Sequence, residues 1–143
     1  MTASEYILFF DQISNTDVPR VGGKNASLGE MYNQLNPKGI GIPNGFALTA
    51  EAYRIFRTEN RLEKTLNDLL HALDTDQYTN LSEIGKKARA LILGAPFPNE
   101  VIEAIKTAYT SLSEQCEINN LDVAVRSSAT AEDLPTASFA GRM

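Results

Sequence analysis

The stretch Val21-Gly22-Gly23-Lys24-Asn25-Ala26-Ser27-Leu28-Gly29-Glu30-Met31 reads as a tight turn that opens a helix. Paired glycines can take positive φ and let the backbone approach a ligand, while the free N–H groups and dipole of a helix N-terminus favour an anion. Asn25 or Ser27 is placed to cap the start. Leu28, Met31, Tyr32 and Leu35 form an apolar stripe at helical spacing, and Asn36-Pro37-Lys38-Gly39 stops it. Lys24 thus stands at a helix N-terminus with a mobile positive charge. The pattern is not the P-loop spacing, which runs GxxxxGK and then Ser or Thr, so a tight turn with a solvated lysine is the better account of it in isolation.

A second run, VAVRSSATAEDLPTASFAG from Val123 to Gly141, is more specific. Leu121 to Val125 predicts a strand that delivers Arg126 to its C-terminal end. A planar guanidinium followed by the hydroxyls of Ser127, Ser128 and Thr130 suits phosphate oxygens, and Gly141 allows a backbone approach beyond the turn at Pro135. The competing account is a Ser/Thr-rich surface loop whose arginine pairs with Glu132 or Asp133. Those two acids fit capping or solvated positions better than metal ligation, and no metal site is assigned to this chain. One cation with small or hydroxyl residues in each run makes the pair read as two walls of a nucleotide site.

Between and around these runs the periodicities predict an α+β fold. Tyr6 to Phe10 reads as a short buried strand, Asn15 to Arg20 as a polar turn, and Ile42 to Leu48 as an extended segment becoming a strand. Thr49 caps a helix to about Arg57, with Tyr53 and Phe56 directed to the core. Leu62, Leu66, Leu69, Leu70 and Leu73 mark a second helix. Asn80 with Glu83 resembles a capping box ahead of a third, carried by Leu81, Ile84, Ala88, Leu91 and Ile92. After the break at Gly94 to Pro98, Asn99 to about Gln115 resumes the pattern through Val101, Ile102, Ile105, Ala108, Tyr109 and Leu112. Short strands against four or five helices leave the sheet incomplete, and an open edge or apolar face favours self-association.

Composition excludes several classes of function. With 143 residues the chain can bury a real core without disulfides, and 13 basic against 18 acidic residues give a net charge of -5. That balance disfavours nucleic acid and anionic membrane as partners, because nothing supplies the cationic surface they need. The lone Cys116 fits a reduced cytoplasm, and with no nearby cation to stabilise a thiolate it reads as inert. His71, the single histidine, sits among leucines on a helix and reads as structural or exposed, so no catalytic residue is assigned. The N-terminus has no basic region followed by a long apolar run, so neither export nor membrane insertion is expected. The abrupt end at Gly141-Arg142-Met143 suggests a chain cut from something longer.

VGGKNASLGEM, GIGIPNGFALTAEAYRIF and VAVRSSATAEDLPTASFAG, in that order, closely resemble the start of the phosphoenolpyruvate synthase (pyruvate, water dikinase) family, and the likeness spans residues 5 to 141. Pyruvate, phosphate dikinases resemble the first motif more loosely, and rifampin phosphotransferases resemble the second well. The resemblance implies that residues 1–143 are the first part of an ATP-grasp nucleotide-binding domain. It implies ATP-phosphate contacts from Lys24 and Arg126, and places Gly141 on a phosphate-covering loop. The full enzymes of the family pass the β-phosphoryl of ATP to a histidine and then to pyruvate, giving AMP, phosphate and phosphoenolpyruvate. Magnesium ligands, the phosphohistidine and the pyruvate site would lie beyond residue 143, so the isolated polypeptide is expected to lack dikinase activity. The alternatives are a fragment of a rifampin-phosphotransferase-like or pyruvate, phosphate dikinase enzyme, and a stand-alone module that binds a nucleotide or a partner subunit. Family members usually carry glutamine after the glycine that Gly141 matches, whereas Arg142 stands here.

Overall fold

The computed structural model describes residues 5–131. The chain divides into two compact units, one built from the chain up to Ala52 together with the chain from Glu100, the other running Tyr53–Asn99.

In the first unit, β1 (Ile7–Phe9) pairs antiparallel with β2 (Phe46–Leu48), in register Ile7 with Leu48, Leu8 with Ala47 and Phe9 with Phe46. The ladder continues past both ends: Phe10 N donates to Gly45 O at 3.0 Å, and Thr49 N to Tyr6 O at 3.0 Å. Apolar residues on both faces of β1 follow from burial, since Ile7 and Leu8 are both shielded from solvent. After β1 the chain makes two 3-10 turns, Phe10–Gln12 and Asn15–Asp17, and the single-turn helix α1 (Val18–Val21). The polar turn expected over Asn15 to Arg20 is therefore largely helical. Ser14 and Asp17 cap it reciprocally, Ser14 N donating to Asp17 Oδ2 at 2.9 Å, and Pro19 fits the first turn of α1, where its missing N–H costs nothing.

Helix α2 (Gly23–Leu35) follows at once. Neither Asn25 nor Ser27 caps it, because the helix already begins at Gly23 and Gly22 is its N-cap, at φ 82°. Its buried face is also different from the expected stripe: Gly23, Ala26 and Gly29 are buried, while Met31 is 41% exposed and Leu28, Tyr32 and Leu35 are only partly covered. Close approach explains this. A Cβ on Gly29 would lie 2.6 Å from both Cβ and the carbonyl oxygen of Ile13, so the helix axis rests against the 3-10 turn and its larger side chains are pushed to the flanks. Asn33 Nδ2 secures that contact, donating to Ile13 O at 3.0 Å and Phe10 O at 3.2 Å. Leu8, Ile13, Val21, Ala26 and Ala47 form the resulting core, with Phe10 and Val18 packed on it.

α6 (Asn99–Cys116) completes this unit. It buries Val101, Ala104, Ala108 and Leu112, flanked by partly covered Ile102, Ile105 and Tyr109. Side chains tie it to the strands: Tyr6 Oη donates to Glu100 Oε2 at 3.0 Å, and Asn44 Nδ2 to Gln115 Oε1 at 2.8 Å. The strand expected at Leu121 to Val125 does not form. Among the described residues no neighbouring strand offers that segment its backbone groups, and it runs irregular with Val123 49% and Val125 92% exposed.

In the unit Tyr53–Asn99, α3 (Ala50–Glu59) leads to α4 (Leu62–His71) and α5 (Leu81–Gly94), which pack on each other. Ala52 N meets Thr49 Oγ1 at 3.4 Å, the expected cap of α3. Phe56 is buried as expected, but Tyr53 is half exposed: it stacks on Phe56 at 6.2 Å with the Arg57 guanidinium over its ring. Asn80 is the N-cap of α5 without a capping box. Its side chain is engaged elsewhere, accepting from Asp74 N at 2.8 Å and donating to Ala72 O at 2.7 Å, and Glu83 pairs instead with Lys87 at 2.7 Å. Among the described residues, two strands with five helices of ten residues or more give the α+β class expected.

Candidate functional site

The two motif runs meet in space. Gly22 has both its backbone groups satisfied locally, its N–H by Val18 O at 2.9 Å and its carbonyl by Ala26 N at 3.0 Å. The next amide, Gly23 N, donates across to Ala129 O at 3.3 Å, and Ser128 Oγ donates to Val21 O at 2.9 Å. Residues 21–23 and 128–129, more than a hundred positions apart in the chain, are therefore in direct contact. Only glycine fits between them: a Cβ on Gly22 would overlap Ser128 Oγ and lie 2.9 Å from both N and O of Ala129.

Lys24 follows the glycine turn directly and Arg126 precedes Ser128 by two positions, and both are solvent-exposed. Arg126 lies three positions before Ala129, at most roughly 11 Å of extended chain. Among the described residues no acidic side chain forms an ion pair with Arg126. Glu132 and Asp133, the partners of the surface-loop reading, lie outside the described residues, as does Gly141. Ser127 and Thr130 are exposed, whereas Ser128 is half-buried and turned inward on Val21.

Asn25, expected from sequence to cap the helix, instead donates from Nδ2 to the Val21 carbonyl at 2.9 Å. That carbonyl thus accepts two side-chain hydrogen bonds at the junction of α1 and α2, where helical pairing gives out. Leading into the junction, Asp17 is held below the usual carboxylate range, chiefly by the Ser14 backbone N–H and further by Arg20, 3.2 Å away. Neither the Val21 hub nor the Asp17 cap is evident from the residue pattern alone. A serine three residues before an aspartate, just ahead of a proline, is the signal that points to the latter.

The remaining candidates lie away from this place. His71 is exposed on α4 with Nδ1 2.7 Å from Asn67 O, and Cys116 is an exposed free thiol at the end of α6. Among the described residues no group of three or more His, Cys, Asp or Glu could hold a metal ion, and no helix is long and apolar enough to cross a membrane.

Comparison with known proteins bears on what this junction is for. Residues 18–143 match the family model described as pyruvate phosphate dikinase, AMP/ATP-binding domain. The chain is 48% identical over 140 residues to phosphoenolpyruvate synthase of Neisseria meningitidis serogroup B, covering 98% of this chain and 18% of the relative. Against the phosphoenolpyruvate synthase of Synechocystis sp. the identity is 52% over 95% of this chain and 17% of the relative, and against that of Escherichia coli (strain K12) it is 46% over 98% and 17%. The chain thus spans under a fifth of the length of the curated relatives it matches. A glycine turn locked to an arginine-bearing arm sits within the matched residues, and the chain belongs to the pyruvate phosphate dikinase AMP/ATP-binding domain family.

Proposed function

We propose that this chain supplies part of the ATP site of a phosphoenolpyruvate synthase, an enzyme that converts ATP, pyruvate and water to AMP, phosphoenolpyruvate and phosphate through a phosphohistidine. The observation that carries the reading is the contact between the Gly22-Gly23 turn and the Ser128-Ala129 backbone, which puts the supports of Lys24 and Arg126 side by side. In phosphoryl transfer the protein mainly positions the phosphates and neutralises charge that spreads over their oxygens. Lys24 meets this need as a mobile point charge, and Arg126 as a planar fork able to take two oxygens at once. The exposed hydroxyls of Ser127 and Thr130 add donors beside Arg126, and the family resemblance assigns Gly141, outside the described residues, to phosphate binding.

The domain is read as the first part of an ATP-grasp fold, working in the cytoplasm. Magnesium supplies further charge neutralisation in the complete enzyme; its ligands, the phosphorylated histidine and the pyruvate site are assigned to other parts of that enzyme. The 46–52% identity to the synthases described above favours this reading over a rifampin phosphotransferase, a pyruvate, phosphate dikinase or a stand-alone module.

Titration of the isotope-labelled chain with ATP and magnesium tests the proposal. Weak binding is expected, with amide shifts concentrated in residues 22–26 and 126–130 and reduced about tenfold or more in affinity by Lys24→Ala or Arg126→Ala, each removing a charge-assisted contact worth about 1.5–3 kcal/mol. Shifts confined to other surfaces would refute it. The chain by itself is expected to form no AMP from ATP and pyruvate, and measurable formation by the pure polypeptide would overturn the division of labour proposed here.

A further inference from the structure

The three hydroxyls that follow Arg126 are not equivalent. Ser127 and Thr130 face solvent, while Ser128 spends its proton on the Val21 carbonyl at 2.9 Å, beside the bond that the same oxygen receives from Asn25 Nδ2 at 2.9 Å. Among the described residues little else holds the arm that bears Arg126. From Ile118 to Ala131 no strand or helix forms, and the side of α6 reaches the arm through Tyr109 Oη, which donates to Leu121 O at 2.8 Å. Residues 122–127 are all exposed. At its far end the arm is fixed by the Ser128 hydroxyl and by the long Gly23 N to Ala129 O bond of 3.3 Å. The shorter of those two anchors is a single side chain.

We propose that Ser128 is a positioning residue, one that sets Arg126 in place relative to Lys24 by clipping the arm to the Val21 carbonyl, without itself contacting phosphate. This rests on the reading of Lys24 and Arg126 as the phosphate-gripping pair. Gly22 is the other half of the clip, because any side chain there would occupy the space that Ser128 Oγ uses. Asn25 holds the carbonyl from the helix side, so that the acceptor stays aimed at the arm.

The test is a double-mutant cycle in the 143-residue chain, with ATP and magnesium as the probe and amide hydrogen exchange recorded before nucleotide is added. Ser128→Ala should speed exchange at Gly23, whose acceptor on Ala129 is no longer held, and weaken ATP binding about three- to tenfold, the range of one hydrogen bond. In the Arg126→Ala background the same substitution should change affinity by less than about twofold, because its effect acts through Arg126. Ser128→Cys keeps the side-chain volume with a weaker donor and should give the same pattern at smaller amplitude, which preserves the test if the alanine variant does not fold. An equal loss of affinity with and without Arg126 would overturn the proposal in favour of direct phosphate contact. Unchanged exchange and unchanged affinity in Ser128→Ala, with Lys24→Ala and Arg126→Ala both damaging, would overturn it while leaving the phosphate reading intact. If those two alanines are themselves silent, the phosphate reading fails and the positioning role falls with it.

Discussion

Gly22 carries two constraints at one atom. Its φ of 82° lies in the left-handed region, and the space a methyl group would fill belongs to Ser128 and Ala129. Gly22→Ala should therefore destabilise the chain by about 1–3 kcal/mol, the usual cost of a strained backbone position, and should detach the Arg126 arm as well. Denaturant unfolding together with amide shifts at residues 126–130 checks both parts; a stable protein with native shifts there would contradict the packing. The glycine pair and the two cations are legible in the sequence because turn chemistry and charge are local properties. The direction in which Ser128 and Asn25 point is not. Both are polar residues whose partner is a carbonyl, and a carbonyl leaves no trace in the residue type that bears it.

Helix α2 shows the same division one level up. Its C-terminal limit is legible, yet the face it buries is not, because a periodic stripe of large apolar residues hides a second stripe of small ones. Gly23, Ala26 and Gly29 win because they let two backbones approach, which a hydrophobicity count does not reward. Gly29→Ala should cost about 1–3 kcal/mol through forced displacement from Ile13. Met31→Ala, on the exposed side, should stay within about 0.5 kcal/mol. Parallel urea melts of the two variants decide, and the reverse ranking would restore the stripe read from sequence. The turn between α4 and α5 offers an element-level test of pH. The Asp74 carboxylate accepts from Thr79 Oγ1 at 2.7 Å and from the backbone N–H groups of Asp76, Gln77 and Thr79, and its pKa falls to about 2, with the Thr79 hydroxyl the largest cause. A depressed carboxylate stabilises above its ordinary value of 3.8 and ceases to do so as pH falls through about 2. Amide exchange at Asp76, Gln77 and Thr79 should therefore lose its protection over that interval in the native chain, while Asp74→Asn should show weaker protection with no such transition.

At the scale of the molecule, the α+β class and the helices are readable because amphipathic periodicity survives without knowledge of partners. Strand pairing does not. Leu121 to Val125 has the composition of a strand, but a strand exists only beside another, and among the described residues none pairs with it. Val125, 92% exposed, is the sharpest consequence. Self-association is the expected behaviour of the isolated chain: its elution in size-exclusion chromatography should shift to larger size as concentration rises, and Val125→Lys should suppress the shift. Concentration-independent elution of the native chain would count against an adhesive segment.

The bond between Ser128 and Val21 spans 107 positions, and the one between Tyr6 and Glu100 spans 94. During synthesis, then, the glycine turn is made early and must stay unfinished until codon 128 has been translated, whereas residues 53–99 meet mainly their own neighbours and can settle as they leave the ribosome. A nascent chain arrested shortly before that codon would hold a finished helical insert and an open glycine turn.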